Sequence, residues 1–158
     1  MIMPDLHPIN RTLLTVLENQ VSRTTFAFEG LNEAVLDTPP GNDCKSIRGI
    51  IVHLIHLRRF QLTLLESPLV QKVADPQDSS VLADLVAQLE KATVNLQEAI
   101  SIHDPDDWYR TPEIPREGPW GEDPTIIRFV RPLNDFTNHL GSIRAIRRIM
   151  GNPAERTQ

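Results

Sequence analysis

Several features are scarce in this chain of 158 residues, and each scarcity removes a class of protein. Cysteine occurs once, at Cys44, so no internal disulfide can form. No apolar run approaches the ~20 residues that a membrane-spanning helix needs, so we expect no membrane partner. Sixteen Lys and Arg stand against 21 Asp and Glu, for a net charge of −5, and we expect no nucleic-acid binding because no broad basic surface is available. Residues 1–10 lack the pattern of a secretory signal, which predicts a cytoplasmic protein.

Three familiar enzyme motifs are also missing from the sequence. There is no Glu-x-x-His pair of the di-iron bundles, no glycine loop for phosphate and no Gly-x-Ser-x-Gly nucleophile turn. We see no internal repeat either, which argues against a solenoid. The remaining candidates are other kinds of site on a non-repetitive fold.

What the sequence does contain is long helical periodicity. Most of its 13 prolines fall between stretches in which apolar residues recur every three or four positions. The pattern predicts helices over about residues 10–36, 46–66, 79–102 and 123–150. The predicted N-caps are Asn10, Ser46, and Ser79 or Ser80, and Gly151 is expected just after the last helix. Without any strand-like alternation, the sequence predicts an all-α four-helix bundle that forms one domain over residues 1–158.

The apolar spacing also predicts which face of each helix is buried. The third helix shows this face at heptad spacing. The predicted seams are Leu14, Leu17, Val21, Phe28, Leu31 and Val35 on the first helix; Ile50, His53, Leu57, Phe60 and Leu64 on the second, with Ile47, Ile51 and Leu54 widening its apolar side; Leu82, Leu85, Leu89, Ala92, Leu96 and Ala99 on the third; and Phe129, Pro132 or Leu133, Phe136, His139 or Leu140, Ile143, Ile146 and Met150 on the fourth.

The connection between the third and fourth helices is unusually long, at residues 103–122. It contains four prolines and both tryptophans of the chain, Trp108 and Trp120. Long loops in compact domains are usually functional or disordered, and two large apolar side chains favour packing against the bundle. We predict that this Pro-rich loop folds over the bundle and helps to shape access to the site described next.

Two of the five histidines, His53 and His139, fall on predicted apolar seams of different helices. Asp135 precedes His139 by four residues and therefore shares its helix face. If the second and fourth helices pack side by side, the three side chains converge. Two imidazoles and one carboxylate form a ligand set for zinc or iron(II). The alternative is a hydrogen-bonded Asp–His pair in the core with no metal, and His56, one turn from His53, is a competing ligand.

The residues around these positions resemble a known family. The segment from Ser46 to His53, the pair Asp107-Trp108, and the segment from Asn138 to Ile143 followed by Gly151 are similar to those of the DinB/YfiT-like four-helix bundles, over almost the whole chain. Members of that family typically carry one histidine late in the first half of the chain and a His-x-x-x-His pair on the last helix, which together bind a divalent metal. The resemblance implies His53 and His139 as ligands, with Asp135 in place of the family's middle histidine.

The resemblance also implies the kind of chemistry. Some relatives are metal-dependent transferases or isomerases that use a low-molecular-weight thiol, others resemble hydrolases, and relatives commonly form homodimers. The first hypothesis is therefore a metal-dependent enzyme that acts on a small molecule at a nickel, zinc, iron or manganese ion. The second is a non-catalytic bundle with a degenerate metal site and a binding or structural role. Cys44 is interpreted as an ordinary loop residue.

Overall fold

Four long helices make up the part of the protein that the structure describes, as the sequence predicts. The structure, a computed structural model, describes residues 6–77, 80–114 and 121–154. Its α-helices are α1 (Pro8–Phe28), α2 (Ile47–Leu64), α3 (Leu82–Ile102) and α4 (Thr125–Ile149), joined by short 3₁₀ helices at Glu33–Val35, Pro68–Lys72 and Pro105–Tyr109. No strand occurs in these ranges. The all-α four-helix prediction is confirmed.

The four helices pack around one apolar core. α2 lies against α3 and α4, and α1 packs against the same two helices, so α1 and α2 occupy diagonal corners of the bundle. Buried side chains from all four helices meet between them, including Leu17, Leu54, Leu96 and Phe136. This arrangement places α2 beside α4, which is the packing that the candidate site requires.

The first helix is shorter than predicted. It begins at Pro8, where the His7 side chain accepts a hydrogen bond from the backbone N–H of Ile9, and it ends at Phe28 instead of residue 36. Gly30 follows with a φ of 63°, a left-handed conformation that glycine adopts without steric cost. The apolar spacing continues through Leu31 and Val35 because these residues also pack on the core, although outside the helix.

The remaining helix ends agree with the sequence to within three residues. Ser46 caps α2 as predicted, since its hydroxyl accepts from the N–H of Gly49. The third helix begins at Leu82, whose N–H donates to the carboxylate of Glu33 at 2.7 Å, so another segment caps it instead of Ser80. Ser79, the other predicted cap, lies outside the described residues. Gly151, with a φ of 71°, follows the end of α4 as expected.

The buried faces of α3 and α4 follow their predicted seams, with Leu140 rather than His139 on the core side. The buried face of α1 is rotated from the predicted seam, and that of α2 is rotated toward the side that Ile47, Ile51 and Leu54 were predicted to widen. On α1 the buried positions include Leu13, Leu17 and Gln20, whereas Val21 is 42% exposed. Polar residues complete the buried faces of both helices, and an apolar pattern cannot detect them. The core positions of α2 are Ile47, Ile50, Ile51, Leu54, Ile55, Arg58, Gln61, Leu62 and Leu64.

The loop after α3 packs against one end of the bundle. Trp108 lies in the 3₁₀ helix there, has no exposed surface, and donates from its indole N–H to Asn10 Oδ1 at 2.7 Å. Its ring contacts Phe129, near the start of α4, with centroids 5.1 Å apart. The prediction that Trp108 packs down is confirmed, while Trp120 lies outside the described residues.

The described part of this loop lies away from the predicted metal ligands. Phe129, its neighbour on α4, precedes His139 by ten residues, or roughly 15 Å along a helix that rises 1.5 Å per residue. This segment therefore covers the opposite end of the bundle and does not shape access to His53 and His139. Within the ranges described, no helix is long and apolar enough to cross a bilayer.

Candidate functional site

The structure brings His53 and His139 together from different helices. His53 lies in the second turn of α2 and His139 lies past the middle of α4. Their imidazole rings meet edge to face, with centroids 4.7 Å apart and planes 86° from each other. Because 86 residues separate the two positions in sequence, only the packing of α2 against α4 creates this pair.

Both imidazoles are partly buried, and this changes their protonation. Burial lowers the pKa of His53 below its ordinary value, and Lys45 and His139 lower it further, whereas Asp135 raises it. Burial also lowers the pKa of His139, against an opposing effect of Asp135 and with a smaller contribution from Lys45. Both rings are therefore predominantly neutral at pH 7, which is the form that ligates metals or accepts a proton.

Asp135, the third predicted ligand, lies on α4 one turn before His139 and is exposed to solvent. It is close enough to raise the pKa of both histidines. However, no group of three or more His, Cys, Asp or Glu side chains in the described ranges is arranged to hold a metal ion. The structure thus assembles two of the three side chains, and Asp135 borders them.

The pair itself is compatible with a shared ion. Zinc lies about 2.0–2.1 Å from each ligating imidazole nitrogen, so two rings on one ion must lie within a few ångströms of each other. The 4.7 Å separation of the ring centroids meets that requirement. Among the described residues, no hydrogen bond engages the ring nitrogens of His53 or His139. A three-ligand set would require the carboxylate of Asp135 in addition to this pair.

Three further residues lie near this pair, either on α2 or just before it. His56 is exposed, one turn further along α2, and lowers the pKa of His53. Cys44 is a free, exposed cysteine in the turn before α2, as expected of an ordinary loop residue. Lys45, which sequence reasoning missed, acts electrostatically on both histidines. The sequence feature that could have identified Lys45 is its position immediately before Ser46, the N-cap of the helix that contains His53.

Two basic residues near the C-terminal end of α4 make specific contacts with the rest of the bundle. Arg147 is only 1% exposed. Its guanidinium donates to the carbonyl of Ala27, at the end of α1, at 2.6 Å and to that of Asn152 at 2.7 Å. Arg147 therefore joins the ends of two helices, while Arg144 lies over the ring of Phe26 at 4.7 Å.

A second polar cluster, also missed from the sequence, crosses the core. Arg58 of α2 donates to Gln20 on α1 at 2.8 Å and to Gln61 at 3.0 Å, and its guanidinium stacks 3.8 Å above the ring of Phe136. Gln20 in turn donates to the carbonyl of Leu133 on α4 at 2.7 Å. The spacing of Ile47, Ile51, Leu54 and Arg58 along one helix face was the signal that could have placed Arg58 inside.

Comparison with known proteins assigns the chain to no family. No protein-family model matches the chain, and no curated protein matches its sequence.

Proposed function

We propose that the protein is a metal-dependent enzyme of the DinB-like kind, in which His53, His139 and Asp135 hold a divalent cation. The observation that supports the proposal is the edge-to-face contact of His53 and His139 across α2 and α4. These are two positions at which the sequence resembles the ligands of that family. The proposed ion is nickel, zinc, iron or manganese, and the proposed substrate is a small molecule.

When bound, such a cation would supply Lewis acidity that activates water or a low-molecular-weight thiol. The chain's own residues have separate roles in this proposal. His53 and His139 present neutral nitrogen donors at the boundary of the core, where part of their surface faces solvent. Asp135 contributes a carboxylate from the solvent side. Relative to a three-histidine site, this carboxylate lowers the net charge by one and should weaken the acidity of the ion.

Metal analysis of protein purified without an affinity tag tests the proposal. We expect close to one divalent ion per chain in the wild type. His53→Ala and His139→Ala should each abolish metal retention while the helical circular dichroism persists, because both side chains are only partly buried. Asp135→His should retain or strengthen binding. His56→Ala is the matched control, since it removes an exposed histidine one turn away and should leave the metal content unchanged.

Two results would contradict the proposal. One is an absence of bound ion after equilibration with each of the four metals. The other is unchanged metal content in the His53, His139 and Asp135 variants. For the activity, the cobalt-substituted protein offers a direct readout, because coordination of an added thiol should change its visible spectrum. An unchanged spectrum would remove the thiol from the proposal and leave water as the activated group.

The second candidate function is a non-catalytic bundle with a degenerate metal site and a binding or structural role. The exposure of Asp135 and the lack of a three-ligand group in the described residues favour it. A wild-type protein that binds no ion, and whose melting temperature is insensitive to added metal, would support this candidate over the enzyme.

We also propose a cytoplasmic homodimer, from the sequence composition and from the family resemblance. Light scattering should give about twice the chain mass of 17.9 kDa at micromolar concentration. A mass equal to that of one chain would exclude the dimer under those conditions.

A further inference from the structure

A large cleft opens on the side of the bundle opposite the shared α2–α4 face, between α1 and α3. Its volume is about 720 Å³, within the roughly 300–1,000 Å³ of typical small-molecule sites. Most of its lining is apolar, and the lining includes Leu89 and Thr93 on the inside and the exposed Val21 and Val94 near the mouth. Neither histidine of the proposed metal site lines this cleft.

The inner wall of the cleft contains a buried cation. Arg58 lines the cleft although its side chain has no exposed surface. Two of its nitrogens donate to glutamine oxygens, but its Nε–H has no hydrogen-bond partner. No carboxylate of the described residues forms an ion pair with Arg58. A guanidinium has five N–H donors and binds carboxylates well, so Arg58 retains unused donor capacity behind the inner wall of the cleft.

Arg58 remains charged at neutral pH despite its burial. Burial lowers the pKa of Arg58 to about 9, which still leaves the guanidinium protonated at pH 7. The groups that contact this guanidinium inside the protein are neutral: two glutamine oxygens and the ring of Phe136. A buried charge without a counter-ion is costly, so an anion that reached this wall would be stabilised.

The outer lining of the cleft carries the opposite charge. Glu18 and Glu29 on the α1 side and Glu90 on α3 line the cleft, and all three residues are exposed. They would repel a simple anion that approached the mouth and attract a cation. The cleft is therefore positive at its inner wall, apolar along its length and negative at its mouth.

We propose that this cleft binds a linear apolar zwitterion, with its carboxylate at Arg58, its aliphatic body along α1 and α3, and its ammonium group among the mouth glutamates. The charge order of the cleft selects this class over a fatty acid, which lacks the cationic end, and over an alkylamine, which lacks the anionic end. This site is separate from the proposed metal site, so neither proposal depends on the other.

Isothermal titration of the full chain with three matched probes tests this assignment. The probes are ω-aminododecanoate, which carries both charges, ω-aminododecanol, which lacks the carboxylate, and dodecanoate, which lacks the ammonium group. We expect saturable binding of ω-aminododecanoate, and affinities for the other two that are weaker by about tenfold or more. Equal affinity for ω-aminododecanol and ω-aminododecanoate, or no saturable binding of any probe up to about 1 mM, would overturn the proposal.

Two matched variants separate the mouth of the cleft from its surroundings. Glu90→Lys should weaken binding of ω-aminododecanoate and strengthen binding of dodecanoate, because it reverses a charge at the mouth. Glu98→Lys reverses an exposed charge on the same helix outside the cleft and should change neither affinity. Identical effects of the two variants would show that net charge alone steers the probes, and would also overturn the proposal.

Arg58→Met tests the inner wall. The variant should lose the preference for ω-aminododecanoate over ω-aminododecanol, while both probes still bind through their aliphatic chains. Because Arg58 is a core residue, its variant must first show a wild-type helical spectrum; if it does not fold, the probe series on the wild-type protein decides the question alone. A folded variant that keeps the wild-type carboxylate preference would remove Arg58 from the site.

Discussion

Trp108 provides the most direct test of how the loop after α3 is held. Replacing it with phenylalanine keeps an aromatic ring in the buried site but removes the indole N–H that donates to Asn10. Loss of roughly 40 Å² of buried apolar surface at about 25 cal/mol per Å² costs about 1 kcal/mol. The Asn10 oxygen, buried and deprived of its donor, adds about 1–3 kcal/mol. We therefore expect Trp108→Phe to lower the free energy of unfolding by about 2–4 kcal/mol.

Urea unfolding followed by circular dichroism measures this loss, provided that the dependence on denaturant is unchanged. At about 2–4 °C per kcal/mol for a chain of this size, the melting temperature should fall by roughly 4–16 °C. Tyr109→Phe is the matched control, because Tyr109 is 66% exposed and its substitution should cost less than about 0.5 kcal/mol. If Trp108→Phe also costs less than that, the indole and its hydrogen bond do not hold the loop as described.

Three further substitutions have defined outcomes. Gly141→Ala should stabilise α4 by about 0.5–1 kcal/mol in urea unfolding, because among the described residues a Cβ at this position would meet nothing within 4 Å beyond the adjoining backbone of its own helix. A destabilised variant would contradict this. Arg147→Met should destabilise the protein by about 1–3 kcal/mol in the same assay, since the buried carbonyl of Ala27 loses a donor. A neutral effect would mean that water replaces the guanidinium. Burial lowers the pKa of His103 against an opposing effect of Asp107, so the unfolded chain binds a proton more readily there. The stability contributed by this neutral imidazole is complete above the unfolded pKa of about 6.5 and is lost as the pH falls through the lowered folded value. His103→Gln should therefore flatten that part of the curve of unfolding free energy against pH. An unchanged curve would rule out this contribution.

Much of the fold was predictable because helix formation is largely a local property. Ser46 capped the predicted second helix, and Gly151 followed the predicted last helix. The end of α1 was predicted wrongly because Leu31 and Val35 continue the apolar spacing beyond Gly30 while packing on the core from a turn and a 3₁₀ helix. Apolar periodicity reports burial, and burial does not require a helix.

The polar members of the core were harder to predict for a related reason. Arg58 and Gln20 lie on buried faces, yet each is ordinarily a surface residue, and the interior accepts them only because they bond to each other and to α4. Each partner is distant in sequence from the other. A pattern read along one helix contains no information about that pairing, and for this reason the seams predicted for α1 and α2 were rotated from the true ones.

The sequence by itself determined the helical class, the number of helices and the two histidines on different helices. Those features follow from spacing, capping residues and composition, which act within a few residues of each other. Only the tertiary structure decided that α2 lies beside α4, that His53 and His139 therefore touch, that Asp135 faces solvent and that Arg58 lies inside beside an open cleft. These outcomes depend on how four amphipathic surfaces fit together, because the position of a side chain at a helix boundary changes with a small rotation of the whole helix.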